Sequence, residues 1–237
     1  MSGIINFSKY FCENADELSK HLNIPIVYNL EYGKTYIVFS AQDAVVQLLE
    51  FQQQHKTNYI IYQSENIESS FFKNLRYIEL LKKNKVLFYS HFTAMKCLEL
   101  YNIPTDGFFA WEYPVQTITT PRTVDLLFFG AMTQKRYDIM AVIQHKFADK
   151  CIMVVSDVFG ADLDQLLRKT KRVINISAYP NSVLETHRIN KCLAYGCKVI
   201  SNRSADEKLD ALYNGLIKFC GTSVSDYVRA VSKLLGT

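Results

Sequence analysis

The sequence predicts an α/β protein of two Rossmann-like, parallel-sheet domains facing a cleft, on three observations. Short apolar runs alternate with longer segments of helical period along the chain, as in βαβ units. A stretch at 113–123, YPVQTITTPRT, holds two prolines and four threonines, lacks any helical period, and interrupts the alternation once before it restarts. The 237 residues suffice for one large domain or two small ones, each with a core of its own.

In order along the chain, a short helix is expected at 13–22 within an otherwise ambiguous first 20 residues. Strands follow at 24–28, 35–40, 58–63, 86–90 and 107–111. Helices lie between them at 41–55, 71–83 and 92–101. The first of these carries Val45, Leu48, Leu49 and Gln52 at three- and four-residue spacing, with polar residues opposite. Beyond the interruption, strand 124–129 leads to helix 134–147, strand 151–156 to helix 161–169, and strand 172–177 to helix 182–195. Strands at 198–201 and 216–219 and a helix at 224–235 complete the pattern. The expected domains are 1–115 and 122–237, with no short repeat or low-complexity segment.

Hydrophobic residues make up 49% and charged residues 21%, as in an ordinary soluble globular chain. The 27 basic residues exceed the 23 acidic ones by only +4, too little for the concentrated basic stripe of a nucleic-acid binder. The basic runs at 82–85 and 168–172 read as helix C-terminal ends, where cations complement the dipole. The six cysteines are scattered without a CxxC pair and read as reduced thiols. No apolar stretch approaches the ~18 residues of a membrane span and no secretory leader is visible, so a cytoplasmic location is expected.

Open α/β sheets bind ligands outside the carboxyl ends of their strands. That rule selects Gln42 and Asp43; Ser64, Glu65 and Asn66; Ser90 and His91; Glu112; Lys135 and Arg136; and Asn181, Ser182 and Glu185. The segment 173–202 is the most informative. It reads as a buried strand, a polar turn, a helix opening with Asn181 and Ser182, a stop at Gly196 and a second buried strand. Free N–H groups and the dipole make such a helix start an anion site. Glu185 and Arg188 in its first turns add a carboxylate for hydroxyls and a guanidinium for phosphate. Each also has a structural reading: Glu185 suits the dipole, Arg188 can pair with Glu185 or Asp206, Gly130 can serve a turn, and His187 is an ordinary helix residue. Lys135 and Arg136 oppose the dipole of their own helix, which a bound anion explains better than a solvated surface. The aromatic residues are mainly core, although Trp111, at a strand end, is placed to stack on a sugar face.

With those loops in place, three C-terminal segments, LLFFGAMTQKRYDIM, VFGADLDQLLRKTKRVINISAY and LETHRINKCLAYGCKVIS, resemble the donor-binding domain of GT-B-type glycosyltransferases of the family 1/family 4-like kind. YIIYQSENI and VLFYSHFTAMKCLELYNI resemble the acceptor side of small members with a short N-terminal domain. The likeness covers about 35–220 and rests on the order and spacing of these pieces.

The resemblance implies transfer of a hexose or deoxyhexose from a nucleotide-diphosphate sugar, UDP preferred over GDP, to a glycan hydroxyl. The partners implied are the nucleotide sugar and a glycan or glycoconjugate acceptor, with no separate cofactor. Gly130 would let the chain approach the donor. Lys135 and Arg136 would neutralise the diphosphate, Asn181 and Ser182 would bind its distal phosphate, Glu185 would accept hydroxyls, and Arg188 would support the diphosphate. If the reaction inverts, Glu65, Asp43 and His91, in that order, are the candidates for the base. The family's second glutamate, five residues before the stop glycine, is Lys191 here. Asp162-Leu163-Asp164 has the spacing of a metal-binding triplet but falls at a helix start, so a metal-independent donor site is expected. The competing reading is a non-catalytic nucleotide- or glycan-binding module of the same fold. An NAD enzyme ranks low because no GxGxxG follows a strand.

Overall fold

The computed structural model describes residues 1–236. They form two compact units, Met1–Ala110 and the part from Trp111 onward, each built on a five-stranded parallel sheet. No helix among the described residues is long and apolar enough to cross a membrane.

The first sheet runs in the order β1 (Gly3–Asn6), β2 (Thr35–Phe39), β3 (Asn58–Gln63), β4 (Lys85–Phe88), β5 (Gly107–Phe108). Its helices are α1 (Cys12–Leu22), α2 (Val45–Gln54), α3 (Leu75–Lys83) and α4 (His91–Tyr101). Val38, Ile61 and Val86 stand in register across three strands and join Leu48, Leu80 and Cys97 of α2, α3 and α4 in one core. Each buried aliphatic side chain there contributes about 1.5–3 kcal/mol relative to exposure. Phe39 and Tyr62, one residue further on, point to the other face and meet the Phe11 ring at 6.1 and 6.3 Å.

The expected strand at 24–28 is reduced to one parallel bridge, Ile26 on Ile4. Pro25 lends its carbonyl to Ile4 N at 2.9 Å but has no N–H to extend the ladder. A strand that sequence reasoning missed, β1, lies between that bridge and β2. The chain therefore winds one way from β1 to Ile26 and the other way from β2 onward.

The second unit holds β6 (Leu126–Phe129), β7 (Ile152–Val155), β8 (Arg172–Asn175), β9 (Lys198–Asn202) and β10 (Lys218–Cys220). With them come α5 (Gln134–Lys146), α6 (Gly160–Arg168), α7 (Thr186–Ala194), α8 (Glu207–Leu212) and α9 (Val224–Leu235). The spatial order is β10-β9-β8-β6-β7, so the chain steps outward from β6 to β7 and returns across to β8. The winding reverses between β6 and β8. Leu127 and Val173 face Leu163 and Leu167 of α6 and Ile189 and Cys192 of α7. Leu126, Phe128 and Ile174 face Ile139 and Ile143 of α5 and Tyr227 and Val231 of α9. Burial on both faces explains why these strands read as unbroken apolar runs.

Several boundaries differ from expectation for local reasons. The helix at 41–55 begins as a 3-10 turn, Ala41–Asp43, because Ser40 takes a left-handed conformation (φ 55°) ahead of it. Likewise 71–83 divides into a 3-10 turn, Ser70–Lys73, and α3, whose start is fixed by Asn74 Oδ1 accepting from Arg76 N at 3.0 Å. The helix expected at 182–195 starts only at Thr186, and α8 was not anticipated. The segment 113–123 forms no helix or strand, yet it is bound to the second unit. Gln116 N donates to Ala194 O at 2.8 Å, and Arg122 Nη2 donates to Tyr195 O at 2.6 Å.

Candidate functional site

The carboxyl ends of β6 and β8 flank the point where the winding reverses, which is where open α/β sheets leave a crevice for ligands. Charged side chains converge there from both faces of the sheet. Thr133 caps α5 by accepting from Arg136 N at 3.3 Å, which places Lys135 and Arg136 in the first turn. Arg136 is only 3% exposed. Its Nη2 donates to Glu185 Oε1 (3.0 Å), its Nε to Ile176 O (2.8 Å) and its Nη1 to Ala131 O (2.8 Å). From the opposite face, Arg188 of α7 pairs through Nη1 with Glu185 Oε2. The same nitrogen donates to Asn175 Oδ1 at 3.1 Å, and the guanidinium lies 5.3 Å from the Phe129 ring centre.

Gly130, immediately after β6, has φ +131°, and a Cβ there would stand 2.6 Å from Arg188 Nη2. Glycine is thus required twice, for the backbone conformation and for the closeness of the guanidinium. Lys135 Nζ donates to Ser177 Oγ at 3.1 Å, beside the same strand end.

Burial opposes ionisation of the Glu185 carboxyl, but Arg188 and Arg136 outweigh it and hold the group below the ordinary carboxylate value. Burial pulls the Arg136 guanidinium down, with Glu185 opposing the fall and Arg188 adding to it. Lys135 is lowered by burial and then by Arg136. Burial brings His187 down to about 4, leaving it neutral at pH 7. One carboxylate thus pairs with two guanidiniums, with the Lys135 amine at the same strand end. Such an excess of positive charge in a half-buried place favours an anionic ligand.

Asn181 and Ser182 do not open the helix. Ser182 Oγ donates to Tyr179 O (2.9 Å) and accepts from Tyr179 N (3.1 Å), closing a local turn four residues upstream of Thr186. Asn181 is exposed on that turn. Val183 and Leu184 are drawn into the core at 4% and 2% exposure, which mimics a helical stripe without being one. Glu185 occupies the cap position of α7, but its side chain makes no cap and turns to the arginines.

In the first unit, Glu65 and Asp43 lie at the carboxyl ends of β3 and β2. Gln42 Nε2 donates to Glu65 Oε1 at 2.9 Å. Gln63 clasps the Glu65 backbone, accepting from its N (2.6 Å) and donating to its O (2.9 Å). Burial, with Asp43 adding like charge, pushes the Glu65 carboxyl up to about 7. Burial also raises Asp43. His91, at the start of α4, is exposed and packs on Phe108 with ring centres 3.9 Å apart.

Two further residues depart from expectation. Trp111 is 4% exposed, so its ring belongs to the core and is not open to a sugar; its carbonyl accepts from Asn190 Nδ2 at 2.6 Å. Lys191 is 5% exposed and pairs with Asp164 Oδ1 at 2.9 Å, tying α7 to α6. Sequence reasoning passed over Asn175, which is 3% exposed and touches Arg188. A polar residue ending the buried run of β8 was the available signal.

No protein-family model matches the chain, and no curated protein matches it in sequence. Solved structures do. HepE from Anabaena, in complex with UDP and glucose, matches with a TM-score of 0.59 at 9% identity, covering 99% of this chain and 90% of that one. A glycosyltransferase from Rickettsia africae ESF-5 matches with 0.56 at 14% identity, covering 99% and 80%. AviGT4, a glycosyltransferase involved in avilamycin A biosynthesis, matches with 0.54 at 8% identity, covering 99% and 93%. Two parallel five-stranded sheets with their helices give this chain a GT-B glycosyltransferase-like fold.

Proposed function

We propose that this chain is a glycosyltransferase that moves a hexose or deoxyhexose from a nucleoside-diphosphate sugar, UDP preferred over GDP, to a glycan hydroxyl. One observation carries the reading: Arg136 and Arg188 share a single carboxylate, Glu185, beside Lys135 and Gly130 at the reversal of the sheet. A diphosphate supplies the missing negative charge. When the bond to the sugar breaks, the leaving diphosphate gains charge, and cations already in position stabilise it without reorganising. The neighbours, two of them glycosyltransferases and another solved with UDP and glucose, support the same direction.

Within that reading, Arg188 and Lys135 contact the diphosphate. Arg136 acts through Glu185, since the residue is buried and each of its three nitrogens already donates to a protein oxygen. Side-chain cations take the part a divalent ion plays in metal-dependent transferases. Glu65 is the first candidate for the base that takes the acceptor's proton. With its carboxyl at about 7, it exchanges protons near neutrality, as a general base must. Asp43 ranks behind it, and the exposed His91 last.

A second reading, a nucleotide- or glycan-binding module without catalysis, is favoured by Lys191, where the resemblance expects a ribose-holding glutamate. Thermal shift against UDP, GDP and NAD tests both together: stabilisation by UDP or GDP but not NAD supports a nucleoside-diphosphate site. Release of UDP from a UDP-sugar panel, in the presence and absence of EDTA, then separates enzyme from binder. No stabilisation by any nucleoside diphosphate would end the transferase reading and the nucleotide-binding form of the second.

A further inference from the structure

The hydrogen bonds of the two arginines are unequally distributed. Arg136 has protein acceptors at Nε, Nη1 and Nη2. Arg188 makes both its bond to Asn175 and its pairing with Glu185 through Nη1. Among the described residues, Nη2 of Arg188 has no protein acceptor, and it stands against Gly130. An arginine beside a carboxylate ordinarily turns to present a planar fork to both oxygens. Asn175 stands in competition with that rotation, because its Oδ1 takes part of Nη1 from the other side.

The Asn175 amide is itself held. Its Nδ2 donates to Ser201 Oγ at 3.0 Å, and Ser201 Oγ donates to Asn202 O at 3.0 Å. Asn202 Oδ1 accepts from Ser177 N at 3.0 Å and from Tyr227 OH at 2.7 Å. Asn175, Ser201, Asn202 and Tyr227 are all at least 96% buried, so water does not loosen the chain of bonds. Locking Nδ2 onto Ser201 leaves Oδ1 as the only end of the amide that can face Arg188.

We propose that Asn175 is a positioning residue for the phosphate-binding arginine. It divides Arg188 between Glu185 and the ligand, so that Nη2 remains over Gly130 as a free double donor for a phosphate oxygen. This rests on the diphosphate reading above and adds a residue that contacts no substrate. Ser201 supports it by fixing the amide's orientation, and Tyr227 by donating to the Asn175 carbonyl at 3.3 Å.

The test is calorimetric titration of wild type and Asn175→Ala with UDP and GDP, and with uridine and guanosine as phosphate-free controls. For whichever base binds, the variant should lose about tenfold or more in diphosphate affinity, the size expected for misplacing a charge-assisted bond. Its affinity for the nucleoside should stay within about twofold, since the base and ribose make no use of Arg188. Should Asn175→Ala not fold, Ser201→Ala releases the amide and should show the same selective loss to a smaller degree. Unchanged diphosphate affinity in the folded variant, or equal losses for nucleoside and diphosphate, would overturn the positioning role and leave the site reading intact. A wild type that binds neither diphosphate overturns both.

Discussion

Arg136 and Glu185 meet at 3.0 Å although they are delivered from opposite faces of the second sheet, one by α5 and the other by the approach to α7. The contact joins the two layers at the strand ends, with Arg136 3% exposed and the Glu185 side chain 27% exposed.

Arg136→Ala should destabilise the protein by about 1–3 kcal/mol, because Ile176 O and Ala131 O lose their donor while Glu185 keeps Arg188. Arg136→Met combined with Glu185→Gln should not recover that loss, since Arg188 then loses its carboxylate. Urea denaturation of the three proteins checks it.

Gly130→Ala should weaken both folding and diphosphate binding. The added Cβ would meet Arg188 Nη2 at 2.6 Å, and a guanidinium at the end of a flexible chain can move aside. The positive φ adds strain of order 1–3 kcal/mol. Melting temperature and UDP affinity, measured together, should show a modest fall in the first and about a tenfold fall in the second.

Glu65 sets a pH dependence of stability in the first unit. Its carboxyl is raised from 4.5 to about 7, so the folded state binds more protons than the unfolded state between those values. The favourable contribution is complete below 4.5 and is lost as pH rises through about 7. Glu65→Gln should remove that slope and gain up to about 3 kcal/mol over wild type at pH 8. Denaturation curves at pH 5, 6, 7 and 8 read the difference; parallel curves would contradict it.

Lys191→Glu restores the residue that the resemblance expects, but it sets like charges side by side. Lys191 is 5% exposed and pairs with Asp164 at 2.9 Å, so the single change should cost about 3–5 kcal/mol. Adding Asp164→Lys should return part of the stability with the pair reversed. Comparison of the single and double variants by thermal melting decides it.

Most strands and helices were legible because their signals are local. β3 reads from its aromatic and β-branched run, and α9 from its apolar stripe and the capping box of Ser223 with Asp226. The failures occurred where distant groups overrode local pattern. β1 is a strand only because β2 lies in register beside it. The start of α7 moved to Thr186 because Ser182 closes a turn on Tyr179 while Val183 and Leu184 sink into the core. Residues of the site were chosen first from strand ends, and that rule placed Lys135, Arg136, Glu185 and Glu65 in polar clusters. It also selected Asn181, which is exposed on a turn, and overlooked Asn175, whose importance lies in a partner 13 residues away.

By itself, the sequence determined the alternation of strands and helices, the division into two halves, and the loops on which charged residues fall, because periodicity and turn chemistry act over a few residues. Only the tertiary structure decided which charges meet. The order β8-β6-β7 brings two strand ends together and α5 and α7 to opposite faces, so that Arg136 and Arg188 share one carboxylate. That pairing depends on burial and on strand order, neither of which is written in the spacing of the residues themselves.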